Sequence, residues 1–280
     1  MPRILIVDAY PREGRAALRA ADGTEGGKLY QRMLERLSPG IACEIVYPAD
    51  GELPEDSRLG DYAGVVWTGS NLSILDDEDP RVTRQVALAR RLLDAGLPNF
   101  GSCFAVQLAC VARGGHCEAN PKGREFGIAR KIRLSSEGAD HPLYRGKARV
   151  FDAFTSHADH VASLPERATL LAGNDWSPVQ AAACEDGGSF WAVQYHPEYD
   201  LHEVASLARL RERELILQGS FANEAEARGW TERLEALHDD PTRIDLALEL
   251  DIGPSLLDEA ERTREVRNWL DVRVLTSNAS

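Results

Sequence analysis

The chain has 280 residues, 43% of them hydrophobic and 28% charged, a composition typical of a soluble globular protein with room for a sizeable core. No apolar run approaches the roughly 18 residues that a membrane span needs, and the apolar N-terminal segment is too short for a signal peptide. The net charge of −13 argues against general nucleic-acid binding, because a phosphate backbone requires a basic surface. Five cysteines without close spacing indicate free thiols, so we expect a cytoplasmic protein.

Up to residue 102 the chain alternates between strand-like and helix-like segments. Residues 3–7 form a β-branched apolar run that predicts a buried first strand ending at Asp8. Residues 9–28 are rich in Gly, Arg and Ala, and we interpret them as a long loop, either a lid or a partly disordered segment. The other segments are predicted strands at 42–47 and 64–67 and predicted helices at 29–37 and 81–95.

This alternation predicts an α/β fold with a mostly parallel, doubly wound, flavodoxin-like sheet and helices on both faces. Ligands of such sheets bind beyond the carboxyl ends of the strands, where we expect Asp8, Gly69 and Cys103 to lie. Strand-like runs follow at 128–134, 149–154, 168–172, 179–184 and 190–195.

From residue 201 onwards the apolar residues have helical spacing. We therefore predict a domain over residues 1–200 and a C-terminal helical extension over residues 201–280. Gly229, Pro241 and the Gly253-Pro254 pair are expected to divide this extension into three or four helices, which pack on the domain or on a partner.

Cys103 follows a short apolar strand and Gly101, and a helix is predicted at 108–112. A residue at such a strand-to-helix turn is held on a strained backbone beside helix N-terminal N–H groups, which stabilise a thiolate and later an oxyanion. A cysteine nucleophile gains its reactivity in this position. From this stretch alone, a buried core cysteine is an equally good interpretation.

His196 and Glu198 follow the strongest late strand as a His-Pro-Glu tripeptide. A cysteine nucleophile needs a base, and the base needs an orienting partner. Residues i and i+2 of an extended segment point the same way, so the Glu198 carboxylate can hold the imidazole while its other nitrogen faces the thiol. Alone, this tripeptide indicates only a turn. Together with Cys103 in an α/β chain it indicates a Cys-His-Glu triad.

Four segments together resemble class I, triad-type glutamine amidotransferase domains, most of all the glutaminase domain of GMP synthases. They occur in the family's order and at about its spacing within residues 1–200, and they are specific as a set. The segments are Gly101-Ser102-Cys103-Phe104-Ala105-Val106-Gln107, Arg124-Glu125-Phe126-Gly127, Ser156-His157-Ala158-Asp159 and Val193-Gln194-Tyr195-His196-Pro197-Glu198. The resemblance says nothing about residues 201–280.

The resemblance implies that Cys103 attacks the γ-amide of glutamine, giving a γ-glutamyl thioester and ammonia, while His196 moves protons and Glu198 orients it. It also implies that backbone N–H groups of Phe104 and of the Gly69 loop bind the oxyanion. The residues implied to contact the substrate are Gln107, Glu125, Phe126, Gly127, Ser156 and His157. His157 is equally well interpreted as a structural histidine. We expect no cofactor and no metal.

Two positions depart from the family's pattern. Relatives usually have glycine where this chain has Ala105, and an aliphatic residue where it has Ser102. We expect these changes to tilt the turn at Cys103 or to reshape the pocket.

Three functions stay open, all with L-glutamine or a γ-glutamyl compound as the expected ligand. The first is a glutaminase that passes ammonia to a separate synthase, since this chain lacks the Ser-Gly-Gly-x-Asp loop of a fused GMP synthase. The second is a stand-alone γ-glutamyl hydrolase or peptidase, because the same triad cleaves both bonds and only the leaving group differs. The third is a non-enzymatic binding relative, against which the intact triad argues.

Overall fold

A computed structural model describes residues 1–276, so residues 277–280 of the predicted helical extension lie outside the described part of the chain. The strands are β1 (Arg3–Val7), β2 (Ala42–Val46), β3 (Gly64–Trp67), β4 (Pro98–Ser102), β5 (His116–Ala119), β6 (Glu125–Leu134), β7 (Val150–His157), β8 (Asp159–Ser163), β9 (Ala168–Gly173), β10 (Ala181–Asp186) and β11 (Gly188–Val193). The helices are α1 (Arg12–Ala20), α2 (Gly26–Leu37), α3 (Pro80–Asp94), α4 (Phe104–Ala112), α5 (Ser136–Asp140), α6 (Leu201–Leu217), α7 (Glu224–Asp239), α8 (Ile244–Glu249), α9 (Pro254–Leu257), α10 (Glu259–Arg262) and α11 (Arg264–Trp269). Short 3₁₀ turns lie at Pro48–Asp50, Asp56–Asp61 and Pro142–Tyr144, and a π-helical turn covers Leu270–Leu275.

One large sheet contains nine of the described strands in the order β2-β1-β3-β4-β11-β10-β9-β6-β7. The neighbours from β2 to β11 pair in parallel, whereas the pairs from β11 to β7 are antiparallel. The predicted α/β fold is confirmed. Its parallel half brings the carboxyl ends of β1, β3, β4 and β11 to one edge of the sheet, where a ligand is expected to bind. Within residues 1–276, no helix is both long and apolar enough to cross a membrane.

Both faces of the sheet are buried, and β1 shows how the sequence achieves this. Leu5 and Val7 point to the face covered by α3 and α4, whereas Ile4 and Ile6 point to the face covered by α2. All four side chains are fully buried. A strand with apolar residues on both faces needs cover from two helical layers, which is why its sequence is a continuous apolar run.

The C-terminal residues contribute directly to the second of these cores. Trp269 of α11 is fully buried, and its ring lies 5.9 Å from the ring of Phe100 on β4. A Cβ atom at Gly64 would lie 3.0 Å from the same indole, so the glycine leaves room for the tryptophan. Buried Glu265 accepts hydrogen bonds from the Tyr195 hydroxyl at 2.6 Å and from Lys147 Nζ at 3.1 Å. The division into two domains at residue 200 stays a prediction.

The interpretation of residues 9–28 as a lid or a partly disordered loop is wrong, because α1 and the start of α2 occupy them. The inward face of α1 is formed by Gly14, Arg15 and Leu18. Arg15 can be buried because its charge is compensated: its guanidinium lies 2.7 Å from the Asp50 carboxylate and stacks over the Tyr47 ring. A buried arginine on the inner face hides the apolar spacing by which a helix is recognised from sequence.

Two helix boundaries also differ from the expected ones. Gly229 lies inside α7 instead of ending a helix, because the Asn223 cap and the burial of Ala227 and Leu234 outweigh the roughly 1 kcal/mol that an interior glycine costs. Helix α4 begins at Phe104, directly after Cys103, and not at residue 108. The earlier start places the helix N-terminus against the cysteine.

Candidate active site

Cys103 lies between β4 and α4 with φ 56° and ψ −105°, a conformation that L-residues rarely adopt. Its backbone N–H donates to the Val193 carbonyl at 2.8 Å, which ties the turn to the neighbouring strand β11. The Sγ atom lies 3.7 Å from the carbonyl oxygen of Ser156. This is the strained strand-to-helix turn that the sequence predicts, with the side chain at the carboxyl edge of the sheet.

Small residues make this turn sterically possible. A Cβ atom on Gly101 would lie 2.4 Å from the Ala105 Cβ and 2.9 Å from the Trp67 Cβ. Ala105 itself is fully buried in the core between the sheet and α4. Its methyl group therefore occupies space that Gly101 leaves open, and it does not narrow a substrate pocket.

His196 and Glu198 lie beside the cysteine as a buried pair. The parallel pairing of β11 with β4 sets Val193 opposite Ser102, so the chain leaving β11 passes the turn at Cys103. His196 Nδ1 lies 2.7 Å from Glu198 Oε1, and the same carboxylate oxygen accepts from the Ser102 hydroxyl at 2.8 Å. This leaves Nε2 of His196 for the Cys103 thiol, which lies close enough to the ring to raise the pKa of the histidine.

The imidazole of His196 is fixed by packing as well as by hydrogen bonds. Its ring stacks on the Tyr199 ring at a centroid distance of 3.9 Å and an interplanar angle of 5°. Burial alone would lower the pKa of His196, but the Glu198 charge and the interaction with Cys103 outweigh it and raise that pKa to about 10. The geometry therefore favours a protonated imidazole between a sulfur atom and a carboxylate at neutral pH.

Gly69 contacts both the cysteine and the histidine. A Cβ atom at this position would lie 2.8 Å from His196 Cε1 and 3.4 Å from the Cys103 Cβ. Because the histidine ring is held on both sides, it could not yield to a side chain there. The position follows β3, so the loop passes over the site with its backbone close to the sulfur atom.

A pocket of 130 Å³ opens above Cys103. Of the residues predicted to contact substrate or oxyanion, it is lined by Phe104, Gln107, Ser156 and His157. The Gln107 amide nitrogen donates to the Asp159 carbonyl at 2.8 Å, which fixes its side chain in the wall. These residues come from α4 and β7, which the fold brings to the same edge.

Glu125, Phe126 and Gly127 lie behind the pocket wall and do not line it. Glu125 is buried, and its carboxylate pairs with His157 Nε2 at 2.9 Å and accepts from Gln180 at 2.7 Å. Phe126 packs against Trp230 of α7, and Gly127 lies beside the same indole. The sequence allows His157 to be either a site residue or a structural histidine. It lines the pocket and also belongs to a buried hydrogen-bonded pair with Glu125. The substrate-binding role of these residues stays a prediction.

Among residues 1–276, no group of three or more His, Cys, Asp and Glu side chains could hold a metal ion.

A family model described as glutamine amidotransferase class-I matches residues 53–208, more than half of the chain. The chain belongs to the class-I glutamine amidotransferase family. The matched range begins before β3 and ends within α6, so it includes Gly69, Cys103, His196 and Glu198.

Individual relatives and a solved structure agree with this assignment. The γ-glutamyl-L-1-hydroxyisopropylamide hydrolase of a Pseudomonas species is 35% identical over 225 residues, covering 78% of this chain and 75% of that protein. The glutamine-hydrolysing GMP synthase of Bartonella quintana is 32% identical over 62% of this chain, a match that spans about a third (32%) of the synthase. A crystal structure of a glutamine amidotransferase from Thermotoga maritima shares the fold, with a TM-score of 0.63 over 98% of both chains at 19% identity. The predicted resemblance to class I amidotransferases, including GMP synthases, is confirmed.

Three residues at this site have contacts or positions that the sequence does not predict. Ser102 departs from the family's usual aliphatic residue, and its hydroxyl bonds the Glu198 carboxylate instead of reshaping the pocket. Arg124 is part of a motif that the sequence analysis identifies, and it lines the pocket ahead of β6. Arg211 lines the same pocket from α6, within the segment predicted as an extension. Arg211 is recognised as a pocket residue only once the fold has brought α6 next to α4 and β7. No local sequence pattern predicts this position.

Proposed function

We propose that this chain is a hydrolase of γ-glutamyl amide bonds and that Cys103 is its nucleophile. The observation that carries the proposal is the strained Cys103 turn beside a buried imidazole that lies 2.7 Å from a carboxylate. A thiol, a base that can accept its proton and a group that orients the base are the parts that acyl transfer through a cysteine requires.

In the first half of the reaction, His196 Nε2 accepts the thiol proton and Cys103 Sγ bonds to the γ-carbonyl carbon of the substrate. The carbon–nitrogen bond then breaks, and the amine or ammonia leaves with the proton that His196 returns. In the second half, His196 takes a proton from water, whose oxygen attacks the thioester carbonyl. The carbon–sulfur bond breaks, the proton returns to sulfur, and glutamate is released. Glu198 holds the imidazole and stabilises its charge throughout.

The oxyanion of each tetrahedral intermediate needs donors that are in place beforehand. We assign this role to the backbone N–H of Phe104, at the N-terminus of α4, and to the Gly69 loop beside the sulfur atom. The absence of a side chain at residue 69 lets this backbone approach the reacting carbon.

A γ-glutamyl conjugate larger than glutamine is the substrate that we favour. The supporting observation is the similarity to the γ-glutamyl-L-1-hydroxyisopropylamide hydrolase, which extends over most of both proteins and beyond the matched family region. The second candidate is a glutaminase that supplies ammonia to a separate synthase, supported by the similarity to GMP synthases over 62% of this chain. The two reactions share every step on the enzyme and differ in the leaving group.

Release of glutamate and of ammonia or amine should be measured for the wild-type chain with L-glutamine and with a series of γ-glutamyl alkylamides. We expect Cys103→Ala to lower turnover by at least about 10⁴-fold, because no other group can form the thioester. Cys43→Ala is the matched control, since Cys43 lies on β2 outside the pocket, and its turnover should equal that of the wild type.

Higher kcat/KM for an alkylamide than for L-glutamine supports the stand-alone hydrolase, and the reverse preference supports coupling to a synthase. Equal turnover by the Cys103→Ala chain would contradict the mechanism. A wild-type chain that turns over none of these compounds would contradict the stand-alone hydrolase.

A further inference from the structure

Two arginines from distant parts of the chain line the pocket above Cys103. Arg124 stands directly before β6, and Arg211 lies in the third turn of α6. Their side chains are only 11% and 17% exposed. Two guanidinium groups are therefore held largely out of solvent in the wall of a pocket whose floor is the nucleophile.

A single carboxylate fixes both of them. Glu214, three residues after Arg211 on α6, accepts from Arg124 at 2.9 Å through one oxygen and from Arg211 at 3.1 Å through the other. These two charges hold the pKa of Glu214 below its usual value, although burial acts to raise it. The bridge holds the two arginine side chains in place beside each other.

One carboxylate also lines the pocket. Asp159 is the carboxylate among the lining residues, and it accepts from the Ser73 hydroxyl at 2.6 Å. The Nε–H of Arg211 is buried and has no hydrogen-bond partner within residues 1–276. Arg211 is also close enough to Tyr10, a buried neighbour of Cys103, to lower that residue's pKa, although burial dominates and raises it to about 12.

We propose that Arg124 and Arg211 form a subsite for a carboxylate group of the substrate. Guanidinium groups bind carboxylates through paired, charge-assisted hydrogen bonds, and both of these guanidinium side chains line the pocket above the nucleophile. The inference rests on the proposed function, because it takes the ligand to be a γ-glutamyl compound. Such compounds offer the α-carboxylate of the glutamyl group and, in γ-glutamyl amino acids, a second carboxylate on the leaving group.

The subsite makes α6 part of substrate recognition. In a chain with a net charge of −13, two clustered and buried arginines are a specific arrangement rather than part of a basic surface. Arg211 thus determines specificity from a helix that mostly follows the matched family region.

The experiment compares the wild type with Arg211→Gln, Arg211→Lys and the control Arg213→Gln, whose side chain is exposed on the same helix. Values of KM and kcat are measured with L-glutamine, with 4-aminobutanamide, which lacks the α-carboxylate, with γ-glutamylethylamide and with γ-glutamylalanine. Losing a charge-assisted pair is expected to raise KM by about 10- to 100-fold for substrates that use the subsite. Arg211→Lys should recover part of this loss, and Arg213→Gln should match the wild type.

The substrate series identifies the carboxylate that is bound. If Arg211→Gln raises KM for every γ-glutamyl substrate but not for 4-aminobutanamide, the subsite holds the α-carboxylate. If only γ-glutamylalanine is affected, the subsite holds the carboxylate of the leaving group. An Arg211→Gln chain whose KM values all stay within twofold of the wild type would overturn the proposal.

Calorimetric binding of L-glutamate and of 4-aminobutanoate separates this inference from the proposed function, because it needs no turnover. Tighter binding of L-glutamate by the wild type, lost in Arg211→Gln, supports an α-carboxylate subsite even if no compound is hydrolysed. Hydrolysis with unchanged KM values in all variants would leave the proposed function standing and refute the subsite. Circular dichroism checks that each variant is folded.

Discussion

The two walls of the pocket are built in different ways. The inner wall consists of the ends of β4 and β11, where buried strands, a strained backbone and the His196–Glu198 pair position the reacting atoms. The outer wall includes Arg211 from α6, a helix that follows the sheet in sequence, packs through buried apolar side chains and bonds Arg124 through Glu214. Under the proposed function, the ends of the sheet strands supply the reacting groups, and under the proposed subsite, α6 adds a group that recognises the substrate.

The largest effect expected on the inner wall comes from Glu198→Gln. The amide keeps the size of the side chain but removes the charge, so we expect kcat to fall by about 10³- to 10⁴-fold. The Glu198 charge is the strongest influence that raises the pKa of His196 to about 10. In the wild type, activity should fall as pH rises through that value, because the imidazolium is the acid that protonates the leaving group. In the variant, this alkaline fall should move to lower pH.

The pH dependence of kcat/KM measures this shift. The matched control is Glu235→Gln, which removes the partner of His202 in a half-buried pair at 2.9 Å on the surface of the helical region. Its profile should be that of the wild type. An unchanged alkaline limb in Glu198→Gln would show that His196 is not the titrating acid.

Trp269→Ala tests whether the C-terminal residues contribute to the stability of the hydrophobic core. The substitution opens a cavity against Phe100 and Gly64, so we expect the free energy of unfolding to fall by about 3–5 kcal/mol. Leu248→Ala, at a side chain that is 76% exposed, should change it by less than about 0.5 kcal/mol. Urea titration followed by circular dichroism measures both. A similarly small effect at Trp269 would mean that the sheet is stable without this segment.

The smallest effect is expected from Ser102→Ala, which tests whether the Ser102 hydroxyl helps to position the Glu198 carboxylate. The hydroxyl contacts the Glu198 carboxylate but lies outside the pocket lining, so its loss should lower kcat by about 3- to 10-fold at unchanged KM. Ser163→Ala, at an exposed position on β8, is the control. Both variants are measured by steady-state kinetics at neutral pH. A Ser102→Ala chain with a raised KM and an unchanged kcat would contradict this positioning role.

The sequence predicts the inner wall well because its signals are local. The apolar run at residues 3–7, the glycine before Cys103 and the His-Pro-Glu tripeptide each specify a strand or a turn within a few residues. The strand-to-helix geometry and the convergence of Gly69, Cys103 and His196 follow from the topology of a parallel sheet.

Neither the outer wall nor helix α1 is specified by a local sequence signal. Arg211 reaches the pocket from α6, on which the neighbouring Glu214 bonds Arg124, so the contact joins segments that are distant in the sequence. Arg15 looks like a surface residue in the sequence, yet its pairing with Asp50 makes it part of a buried helix face. Arg15 and Arg124 are each placed by a carboxylate far away in the sequence, a kind of contact that hydrophobic periodicity does not register.

The position of Trp269 has a consequence for biosynthesis. Strands β1, β3 and β4 leave the ribosome long before the tryptophan that packs between Phe100 and Gly64. Until Trp269 has been synthesised, the nascent chain exposes apolar surface on one face of its sheet, a state that is prone to association with other chains. Emergence of Trp269 from the ribosome, and not synthesis of Cys103, is therefore the step that allows this face of the sheet to be covered.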